Sequence, residues 1–223
     1  FIIIMLTIEE IIYALILLTW VNIVVLIITK KLYNYMIKKG YKHNVAIYFN
    51  RKVIHVLAGG LVAVLVPFLF KSFILPLALG FLFAVFTYIP HKTGKLMYWF
   101  QDPENYYEVN FCVVWGVMIT IGWIIFGKPE IAIIPVLFMA FGDAITGFVR
   151  NMMFKRRTKS WWGNLAMAGV SIPIGYTIGI AGIVAAVFAS IIEHYEFKYI
   201  DDNITVPLVS FIIIYVFMNF SFL

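Results

Sequence analysis

Long apolar runs broken by short polar ones dominate this chain. Runs of about 18 to 20 apolar residues recur where alternating segments would mark strands, so the pattern predicts helices and not a barrel. It places about eight of them, near 9–29, 53–70, 73–89, 109–126, 131–149, 164–178, 180–194 and 204–222. The run GYTIGIAGIVAA between the sixth and seventh reads either as a tight turn between short helices or as part of one broken helix. Its glycines, Gly175, Gly179 and Gly182, suit close helix packing in both cases.

Composition turns these helices into spans. Of 223 residues, 63% are hydrophobic and 13% are charged, about half the charged share a water-soluble surface needs. The expected architecture is all-α: a single polytopic membrane bundle over 1–223, with no soluble domain, low-complexity tract or internal repeat. The first run is read as a retained span, because Glu9 and Glu10 precede it where a cleavable signal would carry Lys or Arg. Met5 is a candidate initiator, and residues 1–4 are assigned no function. The lone Cys112 excludes an internal disulfide and a cysteine-rich metal site.

Charge then orients the bundle. With eight spans, the segments 30–52, 90–108, 150–160 and the loop before the last helix fall on one side, and they hold fifteen of the seventeen Lys and Arg residues. Only Lys71 and Lys128 fall opposite. Basic residues stay cytoplasmic, so both termini are expected on the extracytoplasmic side. The segment KKLYNYMIKKGYKHNVAIYFNRK is expected to form a basic interfacial helix on anionic lipid, making 1–52 one span plus a cytoplasmic interfacial segment.

Candidate chemistry gathers on that basic side. Arg51 and His55, four apart, share a helix face, with Lys52 beside them. Asp143 lies about 10 Å inside the helix end marked by Arg150; a carboxylate at that depth needs a partner or a cation. Asp143, Gly147 and Arg150 share one face, and Gly142 and Gly147 thin the helix there. Beyond it come the basic Arg150, Arg156, Arg157 and Lys159. Glu193 ends the seventh helix, and Asp201, Asp202 and Asn203 precede the eighth, where Asn203 is a candidate cap. Carboxylate and amide oxygens suit Mg²⁺, and Lys and Arg suit phosphate. Together they describe phosphoryl transfer at a membrane interface, with positioning and charge neutralisation supplying most of the catalysis. No Walker loop or kinase glycine loop is present. His55, Asp201 and Asp202 are all chemically able to serve as general base.

Four motifs in order, RKVIH…GG at 51–60, GDA at 142–144, KSWWGN at 159–164 and E…DDNITVP from 193 to 207, carry a resemblance. The chain resembles the dolichol kinase and phytol kinase family over roughly 51–210, with 53–223 as its polyprenol kinase core. The resemblance implies a CTP-dependent kinase of the cell membrane, active at the cytoplasmic face, that phosphorylates an isoprenoid alcohol of dolichol, phytol or geranylgeraniol type. Asp143 would sit in the nucleotide–metal site, and Lys159 and Ser160 would bind phosphate, with Gly163 permitting close approach. Asp201, Asp202 and Asn203 would complete the metal and nucleotide site, with Glu193 a further ligand. Arg51, Lys52, Arg150, Arg156, Arg157 and Asn164 would add to the phosphate-binding set. The expected partners are a lipid alcohol, a nucleoside triphosphate, Mg²⁺ and the bilayer, with no nucleic acid. Arg150 and Phe154 stand where the family often has two glycines after Gly-Asp, and Gly163-Asn164 where it usually has Gly-Ser; CTP against ATP, and the acceptor, stay open. Two rival readings are a cytidylyltransferase making a CDP-lipid and a lipid or ion transporter.

Overall fold

The structure, a computed structural model, describes residues 6–154, 158–195 and 200–220. Taking helical stretches that run on without a break as one, these residues form eight helices. They are α1 (Ile8–Lys38), α2 (His43–Leu69), α3 (Ile74–Thr93), α4 (Tyr107–Phe126), α5 (Pro129–Phe154), α6 (Trp161–Tyr176), α7 (Ile180–Glu193) and α8 (Asp202–Asn219). Six are long and apolar enough to cross a membrane. The other two, α6 and α7, have 16 and 14 residues and fall short of the roughly 20 that span a bilayer upright. The chain is therefore an all-helical, multi-pass membrane protein with six candidate spans and a short hairpin.

Local chemistry sets the boundaries. Thr7 and Glu10 form a reciprocal capping box at the start of α1, and Glu10 Oε1 also accepts from the Lys71 backbone N–H at 2.8 Å, tying that end to the α2–α3 turn. Left-handed glycines close three helices: Gly40 follows α1 at φ +83°, Gly94 ends α3 at +71° and Gly127 ends α4 at +65°. The doubtful run resolves as a tight turn at Thr177–Gly179. A Cβ on Gly175 would lie 2.2 Å from the Gly182 carbonyl oxygen, so α6 and α7 meet backbone to backbone.

The basic segment 30–52 differs from the expected interfacial helix. Nothing breaks the helix between Ile28 and Lys38, so α1 runs straight through the first lysines, and residues 43–52 already belong to α2. Tyr33 and His43 clip the two together (Oη to Nδ1, 2.6 Å). Buried Asn50 donates its amide to the carbonyls of Thr29 and Trp99, pinning the hairpin to the 94–106 loop.

Helix α5 is the centre of the bundle. Of its most apolar stretch, 83% is buried, against 22–44% for the other five candidate spans. Two helices carry π-turns facing this centre: His55–Gly60 in α2 and Phe138–Gly142 in α5. Such turns re-aim the side chains that follow them. Here one begins at His55 and the other ends immediately before Asp143.

Candidate functional site

Asp143 is 2% exposed, and α2 supplies its partners. Lys52 Nζ donates to Asp143 Oδ2 at 2.6 Å. His55 Nδ1 lies 3.2 Å from the same oxygen but off the direction of a good hydrogen bond, and its ring stacks on Phe111 at 4.1 Å. Gly147 makes the pair possible: a Cβ there would meet the Lys52 stem at 2.5 Å. The absent side chain one turn after Asp143 is the trough in which Lys52 lies.

A second buried constellation lies one turn further along α5. Arg150, 1% exposed, forks onto Glu193 with Nη1 to Oε1 at 2.7 Å and Nη2 to Oε2 at 2.8 Å. Its Nη2 also donates to Asn164 Oδ1 and its Nε to the Ser160 carbonyl. Asn164 in turn donates to Glu193 Oε2 at 3.0 Å and to the Ser190 carbonyl, while Ser190 Oγ donates back to the Asn164 carbonyl. This network ties α5, α6 and α7 into one unit.

It revises four expected roles. Every nitrogen of Arg150 is engaged within the protein, so it clamps helices instead of meeting phosphate. Asn164 is buried in the same clamp. A Cβ on Gly163 would fall 2.4 Å from Arg150 Nε, so this glycine admits the arginine and not a phosphate. Both oxygens of Glu193 accept from Arg150, Asn164 and Lys159, while it remains one of the three carboxylates near enough to share a cation. Ser160 caps α6, its Oγ accepting from the Trp162 backbone N–H.

Lys159 links the clamp to the cleft. Its Nζ donates to the Glu193 carbonyl at 2.8 Å, to Glu193 Oε1 at 3.0 Å and to Asp202 Oδ2 at 3.3 Å. Burial lowers the basicity of this amine, but the charges of Asp202 and Glu193 outweigh it and hold the ammonium more firmly than usual. Carboxylate oxygens of Asp143, Glu193 and Asp202 lie within 4.8 Å of one another. Lys52 and His55 meet Asp143 at Oδ2, and Lys159 meets Asp202 at Oδ2, so each of these two carboxylates keeps an oxygen outside the pairings. Asp143 and Asp202 thus suit a hard divalent cation, which takes one or two carboxylates and completes its shell from phosphate and water.

Asp201 does not join that trio. Its Oδ2 accepts from Asn110 at 3.1 Å and from Asn203 at 3.4 Å, and its Oδ1 is buried without a partner. Its expected metal role is replaced by a link between α4 and α8. Burial pushes the carboxyl up to about 6, and the neighbouring Asp202 charge adds to this against the pull of the Asn110 and Asn203 hydrogen bonds. The folded protein therefore holds a proton that the unfolded chain releases near 3.8. Stability is expected to fall as pH rises from about 4 to about 6 and then level off. Asp201→Asn should flatten that segment of an unfolding-midpoint-against-pH curve in detergent.

These groups surround an open cleft of about 450 Å³, lined by Tyr48, Arg51, Lys52, His55, Tyr107, Asp143, Arg150, Thr158, Lys159, Glu193, Asp202 and Asn203. Arg51 lies over the Tyr107 ring at 5.0 Å and reaches Asn105 at 3.5 Å. Asn203 donates to the Tyr107 carbonyl, and its own Oδ1 is buried without a partner. Arg156 and Arg157 lie outside the described residues. Directly against the cleft is a second, apolar chamber of about 810 Å³ between α1, α2, α3 and α4, and Arg51 and His55 line both spaces. Tyr48, Asn105 and Tyr107 were not among the residues expected from sequence. An aromatic one turn before Lys52, on the same helix face, was the available signal for Tyr48.

Searches of family models, curated proteins and solved structures find no match to this chain.

Proposed function

We propose that this protein is a membrane lipid kinase. It would transfer the terminal phosphate of a nucleoside triphosphate, CTP by the resemblance of its motifs, to the hydroxyl of an isoprenoid alcohol. The observation that carries this reading is the junction of two unlike spaces. A cleft lined by three carboxylates, Asp143, Glu193 and Asp202, and two lysines opens against an apolar chamber, and Arg51 and His55 form the shared wall. A reaction between a water-borne polyphosphate and a bilayer-borne alcohol needs such a meeting point.

Each residue has a task. Lys159 and Lys52 supply positive charge to the phosphates, and Arg51 stands at the mouth. Asp143 and Asp202 would hold Mg²⁺, which supplies charge neutralisation as the phosphoryl group moves. The Arg150–Glu193 clamp fixes Lys159. The acceptor oxygen forms a bond to the terminal phosphorus, the bond from that phosphorus to the bridging oxygen breaks, a nucleoside diphosphate leaves, and the hydroxyl proton passes to a base at the junction. Of the candidates His55, Asp201 and Asp202, only His55 borders both spaces.

The basic ends of the helices favour eight crossings with this face in the cytoplasm and both termini opposite. In that arrangement α6 and α7 would cross as a short pair, held by the Gly175–Gly182 contact. The cell membrane is the expected site. The rival cytidylyltransferase shares the nucleotide, the cation and the face, and differs in product. With CTP and a lipid alcohol, purified protein is expected to release CDP and no pyrophosphate. Pyrophosphate release with a lipid phosphate as acceptor would reverse the assignment.

A further inference from the structure

The apolar chamber holds one feature that its hydrocarbon lining does not explain. Among the described residues, Glu108, 7% exposed, is the only carboxylate on its wall. Its Oε1 accepts from both His91 Nε2 at 2.6 Å and Gln101 Nε2 at 2.8 Å, while its Oε2 is buried with no hydrogen-bond partner. Gln101 is fixed in turn, donating to the Thr87 carbonyl and accepting from the Met97 backbone N–H. The carboxylate is thus held rigidly by one oxygen and leaves the other unused. A buried acceptor without a donor is costly, and a water or a ligand hydroxyl would complete it.

Position narrows the ligand. Glu108 opens α4 between Tyr107, which lines the polar cleft, and Phe111, one turn on, which stacks on His55. It therefore stands at the end of the chamber nearest the cleft. The walls behind it are hydrocarbon and aromatic: Leu17, Val21, Val62, Phe83, Cys112 and Trp115. The space measures about 810 Å³ with its open mouth included. A hydroxyl suits this oxygen in either charge state of the carboxyl, since it donates to a carboxylate and accepts from a protonated one. Arg51 on the same wall disfavours an amine.

We propose that the chamber is the binding site for the hydrocarbon chain of a lipid alcohol, and that Glu108 Oε2 accepts the hydrogen bond of its hydroxyl. This rests on the lipid-kinase reading and deepens it, because Glu108 becomes the residue that recognises the free hydroxyl of the alcohol.

The test measures binding without nucleotide, so it does not depend on catalysis. Purified protein in detergent is titrated with geranylgeraniol and its methyl ether, in competition with a long-chain alcohol bearing a diazirine. Cross-links are mapped by mass spectrometry. Wild type should favour the alcohol over the ether by about tenfold, the cost of leaving a buried polar group unsatisfied. Cross-links should fall on α1–α4. Glu108→Gln keeps an acceptor for His91 and Gln101, and it should abolish the preference over the ether. Equal affinity of wild type for alcohol and ether, or cross-links confined to other helices, would overturn the proposal. So would a Glu108→Gln protein that keeps the wild-type order. The wild-type panel stands even if the variant fails to fold. Phosphorylation of the alcohol by a wild type that binds alcohol and ether equally would refute this inference alone, while correct binding without phosphorylation would refute the kinase reading alone.

Discussion

Glu193→Ala is expected to cost about 3–5 kcal/mol of stability, the usual cost of removing one partner from a buried ion pair. Arg150 would be left with its guanidinium in a site where it is 1% exposed, facing neither water nor a counter-charge. The loss should spread beyond one contact, because the same carboxylate also receives Asn164 and Lys159. Helix α7 would lose its ion pair to α5, while α6 keeps the Arg150 bonds to Asn164 and the Ser160 carbonyl. Replacing both partners by apolar residues of similar volume, Arg150→Met with Glu193→Leu, should recover most of that loss, since no charge is then stranded. Thermal unfolding of the purified variants in detergent reads this directly. Equal midpoints for Glu193→Ala and wild type would show that the clamp does not hold the helices together. The double variant is nonetheless expected to lose activity, because Lys159 loses one of the two carboxylates that position it.

Asp143→Asn has the largest expected effect on chemistry. Removing a group that directs charge in a transition state typically costs about 10²–10³ in rate. The interpretation is complicated by Lys52, which would be left buried without its counter-charge at 2.6 Å. An inactive single variant could then reflect lost folding. The companion Lys52→Met with Asp143→Asn separates lost folding from the lost chemistry of the pair, since Lys52 also faces the cleft. It should restore the unfolding midpoint toward wild type, while phosphoryl transfer stays at least a hundredfold down. Recovery of activity together with stability would remove Asp143 from the mechanism.

Much of this molecule is written in its pattern of apolar runs. Eight helical stretches overlap the eight apolar runs, but among the described residues only six are long and apolar enough to span a bilayer, and the second begins ten residues before its run. Asp143, Lys52, His55, Lys159, Glu193 and Asp202 were also singled out from sequence, since charge in apolar surroundings needs a reason. Their pairings were not legible. Sequence places Arg150 on the face of Asp143 but cannot say that its fork meets Glu193, 43 residues on. Once that pair is seen, Gly163 changes from a phosphate contact to room for an arginine. Glu108 escaped for a different reason. The fourth helix was expected to start at 109 and starts at Tyr107, and that shift moves a carboxylate from a loop into a buried helix end. The basic segment 30–52 ends α1 and opens α2, a division that its charge pattern does not mark.

The central claim is that a nucleotide's terminal phosphate moves to a lipid hydroxyl at this junction. It is tested most directly with purified wild-type protein in detergent, Mg²⁺, γ-labelled CTP or ATP, and a panel of geranylgeraniol, phytol, a dolichol and a diacylglycerol. Label is expected in the organic phase on an isoprenoid alcohol, and it should be lost in the Asp143→Asn, Lys52→Met protein. Folded protein that labels none of the four with either nucleotide would contradict the account.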